Sequence, residues 1–313
     1  MSWHPIAAAA ALATSLTGAT AQAPPQPDST VDILEIERER YDRMTVPVTI
    51  QGQGPFDFLI DTGAQATVLS LALADELRLH DRDTATLVGM ASSRTVETTP
   101  IDEFTLGSRS FYIREAALVE GANIGGADGI LGLDSLQDQR VLIDFVNREI
   151  AIDDAKALGG NRGYEIIVKA RQRLGQLIIT HAVLDDVRVA VIVDTGAQGS
   201  VGNVALLKKL RRPRSQGSTA MTDVNGQVLQ GEIKIARRLA MGRVTLSDFP
   251  ILFADSPPFR SLGLADEPAL ILGMSELRAF RRVAVDFESR QILFDVPRDV
   301  RAFDSIHGRR IGA

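Results

Sequence analysis

The chain has 313 residues, 45% of them hydrophobic and 24% charged, with a net charge of −6 and a pI near 5.4. That length holds roughly two domains of about 150 residues, and the acidic balance excludes a general nucleic-acid binder, which needs a basic face to displace counterions. Without cysteine there is no disulfide, thiolate metal site or thiol nucleophile, and His4, His80, His181 and His307 share no metal-ligand spacing.

The N-terminus, MSWHPIAAAAALATSLTGATAQA, carries a short apolar stretch at 6–16 followed by small-x-small sites. It reads as a secretory signal peptide with a weak n-region, cleaved after Ala21; an Ala-rich leader or an uncleaved anchor is the alternative. A bacterial periplasmic or secreted protein is expected, and no later segment is long and apolar enough to span a membrane. VPVTI (46–50) and FDFLI (56–60) then read as strands, rich in β-branched and aromatic residues. The second runs directly into Asp61-Thr62-Gly63-Ala64-Gln65. SLALADELRL (70–79) predicts a helix with Ser70 as N-cap and Leu73 and Leu77 on one face. A strand at SFYIREAALVE, a GILG segment, a short helix at DSLQDQ and the run RVLIDFVNREIAID follow. LGGNRG (158–163) is a turn-rich connector.

Beyond it the order repeats. LIITHAVL and VRVAVIV lead into Asp194-Thr195-Gly196-Ala197-Gln198, 133 residues after the first copy. A helix is predicted at NVALLKKLRR (203–212), whose basic end reads as a solvated helix terminus rather than a nucleic-acid patch. EPALILGMSEL matches GADGILGLDSL, a second short helix is expected at SELRAF, and RVAVDFESRQILFD matches RVLIDFVNREIAID. Landmarks recurring in one order make the chain an internal duplication. The expected lobes are 31–158 and 163–297, with a polar tail at 298–313. Strands dominate each, so the expected fold is all-β, because so few helices could not cover both faces of a parallel sheet.

A carboxylate at the end of a buried strand costs free energy unless it is hydrogen-bonded or paired. The following Thr offers a hydroxyl, and the Gly permits a tight loop that brings backbone N–H groups to the acid. Two such loops face to face set two carboxyls side by side. They cannot both ionise, so one proton is shared, a pattern best known from aspartic proteases. The ionised member can take a proton from water while the protonated member polarises a carbonyl, so water adds without a covalent intermediate.

Asp-Thr-Gly-Ala at 61–64 and 194–197, with Ile130-Leu131-Gly132 and Ile271-Leu272-Gly273 behind, resembles the retropepsin-like aspartic proteases. The resemblance runs from about residue 45 to 297 and implies two pseudo-symmetric β-barrel lobes in one chain, where most such proteases dimerise. It makes Asp61 and Asp194 the catalytic dyad. Thr62 and Thr195 would hydrogen-bond across to the opposite loop, Gly63 and Gly196 would let the carboxyls approach, and Ala64 and Ala197 complete each active-site loop. It also implies two flaps closing over an extended peptide. These fall at 86–97, with its tip near 89–93, and at 219–230, where Asn225-Gly226 is a hairpin signal. Val88, Gly89, Met90, Val224, Asn225 and Gly226 are the flap residues expected to meet substrate.

The implied protein is a monomeric aspartic endopeptidase that needs no cofactor or metal and takes a peptide or protein substrate. Apolar residues are expected to flank the cut. The chain departs from pepsins in lacking a tyrosine in either flap and in carrying Ala64 and Ala197 where pepsins place serine. Two other readings remain. One is a non-catalytic peptide-binding module keeping the fold. The other is a phosphate-binding ATPase with duplicated Asp-x-Gly loops, which would need more helix. Gln65 and Gln198 either shape the dyad's surroundings or are carried along by the duplication.

Overall fold

Strand Met44–Ile50 turns back at Gln51 and Gly52, both with positive φ, into strand Gln53–Ile60. The second strand starts exposed and ends fully buried at Phe58, Leu59 and Ile60, so Asp61 emerges from the core rather than from the surface. These are the coordinates of a computed structural model, which describes residues 33–35, 37–38, 44–211 and 213–297. The leader expected at 1–21 and the tail at 298–313 lie outside the described residues.

Six strands close the first barrel. Gly129–Leu131 runs parallel to Gln53–Ile60 and antiparallel to Val68–Ser70. Val68–Ser70 runs parallel to Arg109–Val119, which forms a hairpin with Ser93–Leu106. Ser93–Leu106 then pairs with Met44–Ile50, Val48 opposite Leu106 and Ile50 opposite Phe104, which completes the ring. Phe58 and Phe104 meet edge to face inside it, centroids 5.2 Å apart, the arrangement that aromatic quadrupoles favour.

The second barrel repeats the first strand for strand. Gln176–Leu184, Val187–Val193, Ala269–Leu272, Ser200–Gly202, Val244–Phe253 and Val228–Met241 follow one another, and Leu184 opposite Leu239 closes the ring. The chain is therefore mainly β, as its sequence implies. The helices are short. Leu71–Glu76 is capped by Ser70 Oγ accepting from Leu73 N–H at 3.1 Å. Val204–Lys209 is capped by Asn203 accepting from Leu206 N–H at 2.8 Å. Both stop before the sequence pattern suggests, the second close to Pro213, which disfavours helix in the residue before it. Leu133–Leu136 and Met274–Leu277 follow the two Ile-Leu-Gly segments.

A third sheet joins the halves, a feature that the sequence reading did not foresee. Its order is Ile33–Glu35, Glu149–Asp153, Arg140–Asp144, Arg282–Asp286, Gln291–Asp295 and Ile166–Lys169. At its centre Leu142 faces Ala284, flanked symmetrically by Arg140 opposite Asp286 and Asp144 opposite Arg282, the register of a local two-fold axis. Arg140 and Asp286 form a buried ion pair there at 2.6 Å. Arg140 also donates to the carbonyl of Gly160 and to Asn161 Oδ1, which ties down the connector between the halves. One apolar core runs through both barrels and this sheet, including Phe58, Phe104, Val141, Val283 and Phe294. No helix among the described residues is long and apolar enough to cross a membrane.

Candidate active site

Each Asp-Thr-Gly-Ala loop is built the same way. Asp61 N–H donates to Leu131 O at 3.1 Å, and Asp194 N–H to Leu272 O at 3.1 Å. The Ile-Leu-Gly strand thus anchors the root of each acid. Leu133 N–H then donates to Ala64 O at 2.9 Å, and Met274 N–H to Ala197 O at 2.8 Å, which pins the far end of each loop. Within the loops, Asp61 Oδ1 accepts from Gly63 N–H at 2.7 Å and Ala64 N–H at 2.9 Å. Asp194 Oδ1 accepts from Gly196 N–H at 2.9 Å and Ala197 N–H at 3.1 Å. One oxygen of each carboxyl is fixed by its own loop, leaving the other to the opposite half.

The two loops meet at the midline, and the carboxyls of Asp61 and Asp194 are hydrogen-bonded to each other. Thr62 N–H donates to Thr195 Oγ1 at 3.0 Å, and Thr195 N–H to Thr62 Oγ1 at 3.2 Å. Each hydroxyl then donates onward across the midline, Thr62 to Val193 O at 3.0 Å and Thr195 to Ile60 O at 2.7 Å. Gly63 and Gly196 have no room for a side chain. A Cβ on Gly63 would stand 2.5 Å from Asp194 Cγ, and one on Gly196 would fall on the Asp61 carboxyl.

The pair is not electrostatically symmetric. Asp194 is buried, 8% exposed, whereas Asp61 is partly exposed. Burial, then the Asp61 charge and the hydrogen bond to it, hold the Asp194 carboxyl well above the usual carboxylate range, against the lowering effect of the Ala197 and Gly196 N–H groups. A pair of this kind shares one proton, and its titration steps belong to the pair.

Further supports were not evident in the sequence. Beneath the first loop, Thr67 Oγ1 donates to Asp134 Oδ1 at 2.7 Å, and Thr67 N–H to Asp134 Oδ2 at 3.0 Å. Beneath the second, Ser200 Oγ donates to Glu276 Oε2 and accepts from Gly273 N–H at 3.2 Å. Burial raises the Glu276 carboxyl above its usual range. Gln176 reaches from the second barrel to the carbonyl of Gly63 in the first. The only sequence signal was that Thr67 and Ser200 hold matching places in the repeat. Gln65 and Gln198 are exposed, turned outward from the buried loops.

The hairpins fall where the resemblance puts flaps. The first comprises Asp83–Val88 and the start of Ser93–Leu106, and Gly89 N–H donates to Ser92 O at 2.8 Å across its tip. The second comprises Arg214–Thr222 and the start of Val228–Met241, around a turn at 223–227 in which Gly226 has φ +75°. Val88 is exposed. Met90 leans on an apolar cluster of the second barrel that includes Ile192, Leu252 and Phe259, and Val224 on one of the first barrel that includes Leu59, Val68 and Ile130. Asn225 is buried and turned toward the first hairpin, donating to Ser92 Oγ at 3.0 Å, and Gly226 sits against Asn123.

Comparison with known proteins agrees with this arrangement. A search of curated proteins finds no match. The family model described as "Aspartyl protease" matches residues 46–135 and 180–275, more than half of the chain and once in each half of the duplication. The chain belongs to the aspartyl protease family.

Proposed function

We propose that the protein is an aspartic endopeptidase in which Asp61 and Asp194 act as one catalytic dyad. The observation that carries this reading is the close meeting of the two loops at the midline, where Thr62 and Thr195 bond across and each loop glycine lies against the other loop's carboxyl, with Asp194 the more buried of the two acids. Asp61, more open to solvent, serves as the base that takes a proton from water. Asp194 donates its proton toward the oxygen of the scissile carbonyl. Water adds to the carbonyl carbon, Asp61 passes the proton it took to the leaving nitrogen, and collapse of the tetrahedral adduct breaks the C–N bond as a hydroxyl proton of the adduct returns to Asp194. No covalent bond to the enzyme forms.

The hairpins at 86–97 and 219–230 act as flaps over an extended peptide. Apolar side chains beside the cut are favoured, because Ala64 and Ala197 each join an apolar cluster next to their acid. The lobes at 31–158 and 163–297 would work as a monomer, and the Ala-rich leader supports export to the periplasm or medium. N-terminal sequencing of the mature chain tests the last point, with a start at Gln22 expected.

The central test is cleavage of a peptide library by the wild type beside Asp61→Asn and Asp194→Asn. The wild type should cut between apolar residues and both variants should be inactive while folded. A variant that still cuts would end the dyad reading. Peptide binding without turnover by the wild type would favour a non-catalytic module.

A further inference from the structure

The second hairpin turn is organised by one carboxylate. Asp223 Oδ1 accepts from its own turn, from Asn225 N–H at 3.0 Å and Gln227 N–H at 2.8 Å. That is an Asx-type turn and needs only one oxygen. The other oxygen, Oδ2, faces the opposite hairpin, where it accepts from Ala91 N–H at 3.0 Å and Ser92 Oγ–H at 2.8 Å. The side chain is buried, 3% exposed. A buried carboxylate persists only when its acceptor sites are filled, and here two of the four donors come from a segment about 130 residues away.

The surroundings serve the same contact. Asn225 donates to Ser92 Oγ at 3.0 Å and to Leu87 O at 3.3 Å, and Arg94 reaches the Asn225 carbonyl at 3.4 Å. Gly89 leaves the space that the carboxylate needs, since a Cβ there would stand 2.9 Å from Asp223 Cγ. The apolar seats are exchanged between the halves, with Met90 on the second barrel and Val224 on the first. Ser256 Oγ–H of the second half donates to the Met90 carbonyl. Each tip is therefore supported by the half it does not belong to.

We propose that Asp223 is a positioning residue that latches the two flaps together, so that they close over the dyad as one lid. This rests on the endopeptidase reading for its role in the reaction, though not for the latch itself. The first hairpin offers no matching carboxylate at its tip, which reads Gly89-Met90-Ala91-Ser92, so the latch is one-sided. Asp223→Asn separates the two duties of the side chain. Its amide oxygen can keep the turn, while its NH2 would face the Ala91 N–H, donor against donor.

The test is a distance measurement between the flaps. The chain has no cysteine, so Thr86→Cys and Ala220→Cys, exposed on the outer strand of each hairpin, take nitroxide labels without background. Pulsed electron double resonance should give one narrow distance with Asp223 intact and a broader, longer distribution in Asp223→Asn. Gly89→Ala, which keeps the carboxylate and crowds it, should broaden the distribution too and covers the case in which Asp223→Asn folds poorly. An unchanged distribution in both overturns the latch. Without labels, Asp223→Asn should raise KM for a long peptide at least about tenfold, with kcat within about twofold, as expected for losing charge-assisted hydrogen bonds in the closed state. Broadened distances with unchanged KM would overturn the role in substrate capture. Broadened distances in a chain that cleaves nothing would leave the latch standing and remove the endopeptidase reading instead.

Discussion

Thr62 and Thr195 exchange hydrogen bonds across the midline, each backbone N–H donating to the other's hydroxyl at 3.0 and 3.2 Å. Both side chains are buried, so neither hydroxyl has water as a substitute partner. Thr→Val keeps the shape and strands an N–H and a carbonyl on the opposite loop. Each single Val variant should cost about 1–3 kcal/mol of stability, read by urea denaturation, and should lower kcat more than it raises KM. Thr→Ser keeps the hydroxyl and should recover most of both. A Val variant as stable and active as wild type would mean that the loops are held by something else.

The raised Asp194 carboxyl makes a prediction with a definite sign. Its folded pKa lies above the unfolded value of 3.8. Within that window the folded chain keeps a proton that the unfolded chain has released, so stability falls as pH rises through it. Asp194→Asn keeps an oxygen for the Gly196 and Ala197 N–H groups and removes the cost of holding a carboxyl protonated above its unfolded pKa. The variant should be inactive yet melt higher than wild type at pH 7, by about 2–4 °C for each kcal/mol relieved. The gap should shrink toward pH 4. In the wild type, the rate should fall at high pH as the shared proton leaves and at low pH as Asp61 gains one. An Asp194→Asn variant melting below wild type at pH 7 would contradict the assignment of the proton.

What the sequence disclosed was what it repeats. The duplicated Asp-Thr-Gly-Ala and Ile-Leu-Gly segments located both loops, and runs of β-branched and apolar residues located the strands that feed them. Ser70 was legible as a cap because capping is a local matter of one side chain and the turn that follows, whereas Asn203, read as the first residue of a helix at 203–212, is the cap of a helix that starts at Val204. The sheet joining the halves was not legible, since the pairing of Arg140 with Asp286 joins residues 146 apart and leaves no local pattern. Asp223 escaped notice for the same reason: the Asn-Gly signal marked a turn, and nothing nearby in sequence could show which donors an adjacent carboxylate would meet.

The Arg140–Asp286 pair should behave as a buried ion pair on the joint between the halves. Their side chains are 2% and 1% exposed. Removing one partner leaves a charge without water or counterion, so Asp286→Ala should cost about 3–5 kcal/mol in urea denaturation. Replacing both, as Arg140→Met with Asp286→Leu, should recover much of that loss, because the desolvation penalty leaves with the charges. The connector should still loosen in the double variant, since Arg140 also holds Gly160 and Asn161. Limited proteolysis near 159–163 reads that loosening. Equal stability of wild type and Asp286→Ala would show that the pair is not a structural anchor.

The glycines of the two loops set how closely the acids approach. Gly63→Ala would drive a methyl group to 2.5 Å from Asp194 Cγ, and Gly196→Ala would drive one still closer to Asp61 Cγ. The carboxyls must then separate, and the shared hydrogen bond is the first contact to go. Each variant should lose at least about 100-fold in kcat, the scale on which a misplacement near 1 Å acts, while far-ultraviolet circular dichroism stays close to wild type. Gly199 lies in the second loop with nothing within 4 Å of its own Cβ position. Gly199→Ala is therefore the matched control, expected to keep kcat within about threefold, since it adds the same methyl without touching either acid. If Gly63→Ala and Gly199→Ala proved equally active, close approach of the two carboxyls would not be what the loops are built to achieve.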